Sequence, residues 1–238
     1  ISSVEESHLL PFTLPPVGFV CLCRSLIVQE LVELSNAFLE ERSASLIPIP
    51  IQYADYAFWQ RSYLQGETLD KKLGYWKNKL EGVATLKLPT DYPRPAIQST
   101  NGAVAGFKLG KELSNQLLEL SKEQGATLFM TVLAAINVLL YRCSGQQDIC
   151  VGTAVAGRQQ QELEDLVGFF INTLALRSKL NSDASFKELL QQVKTTTLEA
   201  FDHQELPFEK IVEAVVKERD MSHTPLFQVM FVLQNTPV

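Results

Sequence analysis

Three features of this sequence predict an α/β fold in which helices are layered on a sheet. Two apolar runs, Ile149–Arg158 and Val167–Leu176, are short, rich in Val, Ile, Phe and Thr, and bounded by Gly or charge, as buried strands are. A last uncharged run, Leu226–Leu233, supplies a further strand. Longer segments with helical periodicity lie on either side of these runs. Strands interleaved with helices imply a layered domain and are compatible with a mixed sheet.

Bulk properties narrow the classes. At 238 residues, with 46% hydrophobic and 20% charged, the chain is core-forming and long enough for one large domain or two small ones. A formal net charge of −6 and the lack of a basic run exclude a nucleic-acid partner. Cysteines 21, 23, 143 and 150 lack paired metal-ligand spacing and the three histidines are scattered, so no metal is expected. The thiols read as reduced, in a cytoplasmic protein. The apolar stretch Leu14–Val28 contains Pro15, Pro16 and Arg24 and is too short for a bilayer. It follows Glu5 and Glu6, the wrong charge for a secretory leader, so no membrane partner is expected. The chain begins with Ile rather than Met, and an upstream portion is expected.

Residues 1 to 23 have no clear period, beyond a possible strand at His8–Leu14 cut by Pro11. From Ser25 a helix is expected, with Leu26, Ile27, Leu31, Leu34 and Phe38 as its apolar stripe. Pro48 and Pro50 make Ser43–Gln52 extended. The aromatic cluster from Tyr53 to Arg61 reads as a helix that lays Tyr56 and Trp59 on another element. Gly66 breaks it, and a second helix covers Leu69–Leu80, stopped at Gly82. The proline-rich stretch Leu88–Pro95 is the best linker, which places a domain boundary at residue 92. Beyond it, Gly102–Leu109 alternates as a strand. Leu113, Leu117 and Leu120 mark a helix ended by Gly125. Leu128–Tyr141 is apolar almost all round and reads as a buried helix. A turn and about two turns of helix are expected over Gln159–Asp165. Ser185 and Glu188 have capping-box spacing at the start of a helix running through Phe201, and a short helix spans Phe208–Val216.

Candidate chemistry is sparse. No phosphate loop or dinucleotide fingerprint is present. His203, beside Asp202 and Glu205, has the surroundings of a general base, but a helix-terminal position accounts for it better. His8 and His223 have no visible nucleophile to serve. The Trp59 cluster is either core packing or a ligand platform. Strand alternation puts Asn172 on one face with Phe170, Leu174 and Leu176, so its amide is either satisfied in the core or lines a site. Arg158 ends a strand where a guanidinium can reach a carboxylate or a substrate carbonyl.

Four segments occur in an informative order: Tyr53-Ala-Asp-Tyr-Ala-Phe-Trp-Gln-Arg61, Val167-Gly-Phe-Phe-Ile-Asn-Thr173, His203-Gln-Glu-Leu-Pro-Phe-Glu209 and Arg219-Asp-Met-Ser-His-Thr-Pro-Leu-Phe-Gln228. Together they resemble the condensation domain of nonribosomal peptide synthetases, over roughly residues 25 to 238. The resemblance implies a two-lobed domain, each lobe chloramphenicol acetyltransferase-like, with a tunnel between the lobes. It implies no directly bound cofactor. Donor and acceptor arrive as thioesters on the phosphopantetheine arms of two peptidyl carrier proteins, beside an adenylation domain, and are joined by an amide bond. Residues 1–92 then correspond to the remnant of the first lobe and its crossing helices, and residues 93–238 to an incomplete second lobe. Asn172, Arg158 and Trp59 are its substrate-tunnel candidates.

One departure bears on activity. The family carries a His-His-x-x-x-Asp-Gly motif where this sequence has Pro15-Pro16-Val17-Gly18-Phe19-Val20-Cys21. Proline has no side chain that accepts a proton, so this chain alone is expected to be inactive. Two alternatives are a noncatalytic carrier-protein docking module and a free-standing acyltransferase that uses acyl-coenzyme A.

Overall fold

The structure is a computed structural model that describes residues 21–218 and 220–234. Contacts divide the described residues into two compact units, one of those up to residue 60 with 158–171 and one of residues 61–157 with those from 172 onward. The boundary expected at residue 92 falls inside the second unit.

The first unit contains α1 (Cys21–Leu39) and most of α2 (Tyr53–Tyr63). Its small core consists of Leu163, Leu166 and Phe170, against which Ile51, Tyr53 and Tyr56 pack. The Tyr53 ring meets Phe170 edge-on at 5.2 Å, and its hydroxyl donates to the Phe169 carbonyl at 2.9 Å. Gly168 is required here, because a Cβ would overlap the Tyr53 ring. The expected stripe of α1 is only partly buried, with Phe38 83% exposed. At the end of α1, Arg42 grips Glu33 at 2.7 Å and Glu40 at 2.6 Å.

The second unit holds α3 (Gly66–Leu80), α4 (Lys111–Glu123), α5 (Leu128–Ser144), β1 (Asp148–Val155), β2 (Asn172–Lys179), α6 (Phe186–Asp202), α7 (Phe208–Val215) and β3 (Val229–Met230). β1 is central, antiparallel to β2 from Asp148↔Lys179 to Val155↔Asn172 and parallel to β3. The sheet is mixed, as the sequence allows. β1 is buried along most of its length, and Gly152 leaves room for the Phe227 ring that lies over it. Two ties fix the layers. Asn137 of α5, fully buried, donates to Ser178 at 3.1 Å, whereas Arg177 donates to the carbonyls of Lys79 and Glu81 at the end of α3. Adjacent strand residues point to opposite faces, so α5 and α3 cover opposite sides of β2. One core runs through α3, α5, α6, α7 and the sheet.

Local signals explain several helix ends. Thr127 accepts from the Met130 N–H at 3.2 Å, and Gly145, at φ +72°, closes α5. Ser185 and Glu188 form the expected capping box, with Ser185 N–H to Glu188 at 2.7 Å. The segment after α3 is held by side-chain amides that imitate a neighbouring strand. Gln146 accepts from the Lys87 N–H at 2.6 Å and donates to the Thr85 carbonyl, and Gln228 accepts from the Leu86 N–H.

Four sequence expectations need correction. Gly102–Leu109 is not a strand; it lies exposed, and among the described residues no ladder pairs with it. The run from Val167 enters strand only at Asn172, because Phe170 is drawn into the first unit's core by Tyr53 and Tyr56. Phe170 therefore shares no strand face with Asn172, although Leu174 and Leu176 do. The linking segment forms one 3-10 turn at Gln161–Leu163 rather than two helical turns, and β3 is only two residues long.

Candidate functional site

Asn172 opens β2, and its half-buried amide is fully occupied. Its Nδ2 donates to the carbonyls of Gln204 at 2.7 Å and Leu206 at 2.8 Å. Its Oδ1 accepts from the N–H of Thr173 at 2.8 Å and of Phe208 at 3.1 Å. Phe208 is the first residue of α7, and Pro207 before it has no capping side chain, so a strand residue caps this helix from across the fold. The side chain has no N–H left for a substrate. It acts on the backbone of residues 204–208.

The same segment is fixed at nearly every residue. His203 stacks on Tyr75 at 3.8 Å, its Nδ1 lies 2.8 Å from the Glu199 carbonyl, and its own carbonyl accepts from Trp76 Nε1 at 3.2 Å. Glu205 pairs with Lys72 at 2.5 Å and accepts from the Tyr63 hydroxyl at 3.3 Å. Leu206 is fully buried. His203 thus terminates a helix and holds a loop, and its ring contacts are a tyrosine face and a backbone carbonyl rather than a nucleophile. Burial, reinforced by Glu199 and Asp202, pushes the Tyr75 hydroxyl well above the ordinary phenol range.

The other two candidates lie in the first unit. Arg158 Nη1 donates to the carbonyls of Leu163 and Glu164, its Nη2 lies 3.3 Å from Cys23 Sγ, and its guanidinium stacks 4.4 Å over Phe170. Trp59 stands 5.8 Å from Tyr56 and is partly exposed. Pro15 and Pro16 lie outside the described residues, as does His8; Cys21 opens α1.

Two features escaped the sequence reading. Arg177 forms a two-pronged pair with Asp148, at 2.8 and 2.6 Å, that holds the Asp148 carboxyl below its ordinary value. A strand-borne Arg two residues before a Lys was the available signal, but its acidic partner is visible only once the β1–β2 register is known. The second is a groove of about 1380 Å³ within the second unit, walled by the end of α3, residues 81–85, α7 and the loop before β3. Asp220 and His223 stand in this wall, 3.0 Å apart, and the Ser222 and His223 contacts hold the Asp220 carboxyl down to about 2. No single helix among the described residues is long and apolar enough to cross a membrane.

Solved structures define the class of this α/β fold. The X-domain from teicoplanin biosynthesis superposes with a TM-score of 0.80 at 28% identity, covering 88% of this chain and 48% of that one. A holo four-domain nonribosomal peptide synthetase bound to AMP and glycine superposes at 0.78 with 31% identity, covering 90% of this chain and 16% of that one. The family description "Condensation domain" matches residues 21–238, and the chain belongs to the condensation-domain family. Among relatives, a linear gramicidin synthase of Brevibacillus parabrevis is 52% identical over 99% of this chain, which spans 5% of that protein. Phosphinothricin tripeptide synthetase PhsC of Streptomyces viridochromogenes is 45% identical over 97% of this chain, which spans 21% of it. The chain therefore spans a small part of these synthetases and about half of the X-domain chain.

Proposed function

We propose that this chain is part of a condensation domain whose activity is amide-bond formation between two carrier-bound substrates. The acceptor amine attacks the donor thioester carbonyl, the C–N bond forms, the C–S bond breaks, and the thiol of the donor's phosphopantetheine arm leaves with the proton given up by the amine. Peptidyl carrier proteins present both substrates, beside an adjacent adenylation domain. Residues 1–92 belong to the first lobe and its crossing helices, and residues 93–238 to the second lobe. The carrying observation is the family match over residues 21–238. It is supported by the way two motif segments, 167–173 and 203–209, are joined through Asn172.

In this reading the three tunnel-side residues have different tasks. Asn172 is a positioning residue that fixes the 204–208 backbone. Arg158 fixes the carbonyls of residues 163 and 164. Trp59 contributes aromatic surface. The chain alone forms no amide, because Pro15 and Pro16 offer neither a proton acceptor nor a hydrogen-bond donor for the amine.

The test vehicle is a chimera in which this sequence replaces the corresponding segment in the complete condensation domain of the linear gramicidin synthase relative, with that domain's own residues kept at positions 15–21. Intact-mass analysis of both carriers should show one amide formed for each donor thioester consumed. One observation favours a docking module as the second reading. The teicoplanin X-domain, at TM-score 0.81 and 28% identity, is found in a complex with OxyB. A chimera that binds both carriers yet leaves the donor thioester intact would favour that reading.

A further inference from the structure

The helix that carries Trp59 does not hold its own place. α2 has eleven residues, and none of them is buried. A helix of that length is marginal in water by itself, so its position depends on contacts made at its ends. At its start, Tyr53 and Tyr56 pack on Phe170. At its end, Gln65 Nε2 donates to the Arg61 carbonyl at 2.7 Å, a local cap that travels with the helix. The last turn is tied to the rest of the second unit through the Tyr63 hydroxyl, which donates to Glu205 at 3.3 Å.

Glu205 makes this tie firm in two ways. Lys72 of α3 pairs with the same carboxylate oxygen at 2.5 Å, and its ammonium stands 6.0 Å from the centre of the Tyr63 ring. The three side chains thus close on one another, each touching the other two. A neutral amide at position 205 would keep an acceptor for Tyr63 but remove the counter-charge of Lys72, whose side chain is only 14% exposed. The backbone beneath Glu205 is also fixed, because the carbonyls on either side of it, those of Gln204 and Leu206, both accept from Asn172. Tyr63, Lys72, Asn172 and Glu205 all lie in the second unit.

We propose that Glu205 is a positioning residue for Trp59: clasped to Lys72 and Tyr63, it fixes the last turn of α2 and with it the helical register that presents Trp59. Trp59 precedes Tyr63 by four residues and follows Tyr56 by three, so the three rings share one side of the helix. The proposal rests on the reading of Trp59 as tunnel surface. It joins the aromatic segment 53–61 to the loop at which segments 167–173 and 203–209 already meet through Asn172.

The test compares the chimeric domain with its Glu205→Gln and Lys72→Met variants and with the exchanged pair Lys72→Glu, Glu205→Lys. In hydrogen exchange without carriers, the amides of Ser62 and Tyr63 should exchange about 10-fold faster in each single variant, with the β1–β2 ladder unchanged. With loaded carriers, each single variant should lower kcat by about 10-fold and leave KM for both carriers unchanged, since the clasp acts through Trp59. The exchanged pair should recover most of both losses. Unchanged exchange at Ser62 and Tyr63 would overturn the proposal. So would equal acceleration along the β1–β2 ladder, which marks a general stabilising contact, or a loosened α2 with kcat per folded molecule intact. A chimera that forms no amide before any substitution fails the functional reading instead, and exchange at Ser62 and Tyr63 then decides the clasp alone.

Discussion

Replacing Asn172 by Ala separates a residue that holds the fold from one that touches substrate. The substitution removes two N–H donors and one oxygen that accepts twice, and it strips the cap from α7. A protein hydrogen bond contributes about 0.5–1.5 kcal/mol net, and the freed groups of residues 204–208 are only partly reached by water. Three of the four bonds join distant parts of the chain, so a loss of about 2–4 kcal/mol is expected. At roughly 2–4 °C per kcal/mol for a domain of this size, Tm should fall by about 5–15 °C. Asn172→Asp keeps the acceptor but sets a carboxylate against two carbonyl oxygens, so it should be no milder. Calorimetry and single-turnover kinetics on the same preparation of the chimeric domain give the answer. The amides of Leu206 and Phe208 should lose protection, and turnover per folded molecule should fall only as far as that loop is loosened. An unchanged Tm with turnover abolished would refute the positioning role and put Asn172 in contact with the reacting groups.

Other outcomes follow from individual contacts. Arg177 depresses the Asp148 carboxyl, so the stabilisation from this pair is present above the ordinary carboxylate range, about pH 4, and is lost as pH falls through the depressed folded value. Asp148→Asn should therefore narrow the Tm difference between pH 7 and pH 3, and an unchanged difference would contradict the pairing. Gly152→Ala drives a methyl into the Phe227 ring and should cost about 1–3 kcal/mol in urea unfolding, partly recovered by Phe227→Leu. Burial pushes the Cys150 thiol up to about 12, so peptide mapping after native alkylation should find Cys143 modified and Cys150 untouched until the protein unfolds. Equal labelling of the two would show that β1 opens readily.

The helices were legible because their signals are local. Ser185 with Glu188, the glycines at 82 and 125, and the apolar run of residues 128–141 act within a turn or two of chain. The strands were legible only in part. Val167–Leu176 is one apolar run in sequence, yet its first half packs on Tyr53 and Tyr56, more than a hundred residues away, and only its second half pairs with β1. Residues 102–109 have a strand's alternation but no partner ladder among the described residues, and alternation alone does not make a strand. Asn172 was conspicuous as a polar residue in an apolar run, but its partners are backbone groups, and backbone carries no residue identity to read. Arg158 was read as able to reach a carboxylate or a substrate carbonyl, and the backbone carbonyls it binds, five and six residues further along the chain, carry no mark in the sequence.

Amide formation with and without a His-His-x-x-x-Asp-Gly motif at residues 15–21 tests the functional reading most directly. Donor- and acceptor-loaded carriers are incubated with the isolated chain, with the chimera carrying Pro15-Pro16-Val17-Gly18-Phe19-Val20-Cys21 as it stands, and with the chimera after Pro15→His, Pro16→His, Val20→Asp and Cys21→Gly. Product is read by mass on the acceptor carrier. The expected result is no product above background from the first two and amide from the third. Amide from the unaltered isolated chain, or none from a restored chimera that folds and binds both carriers, would contradict it.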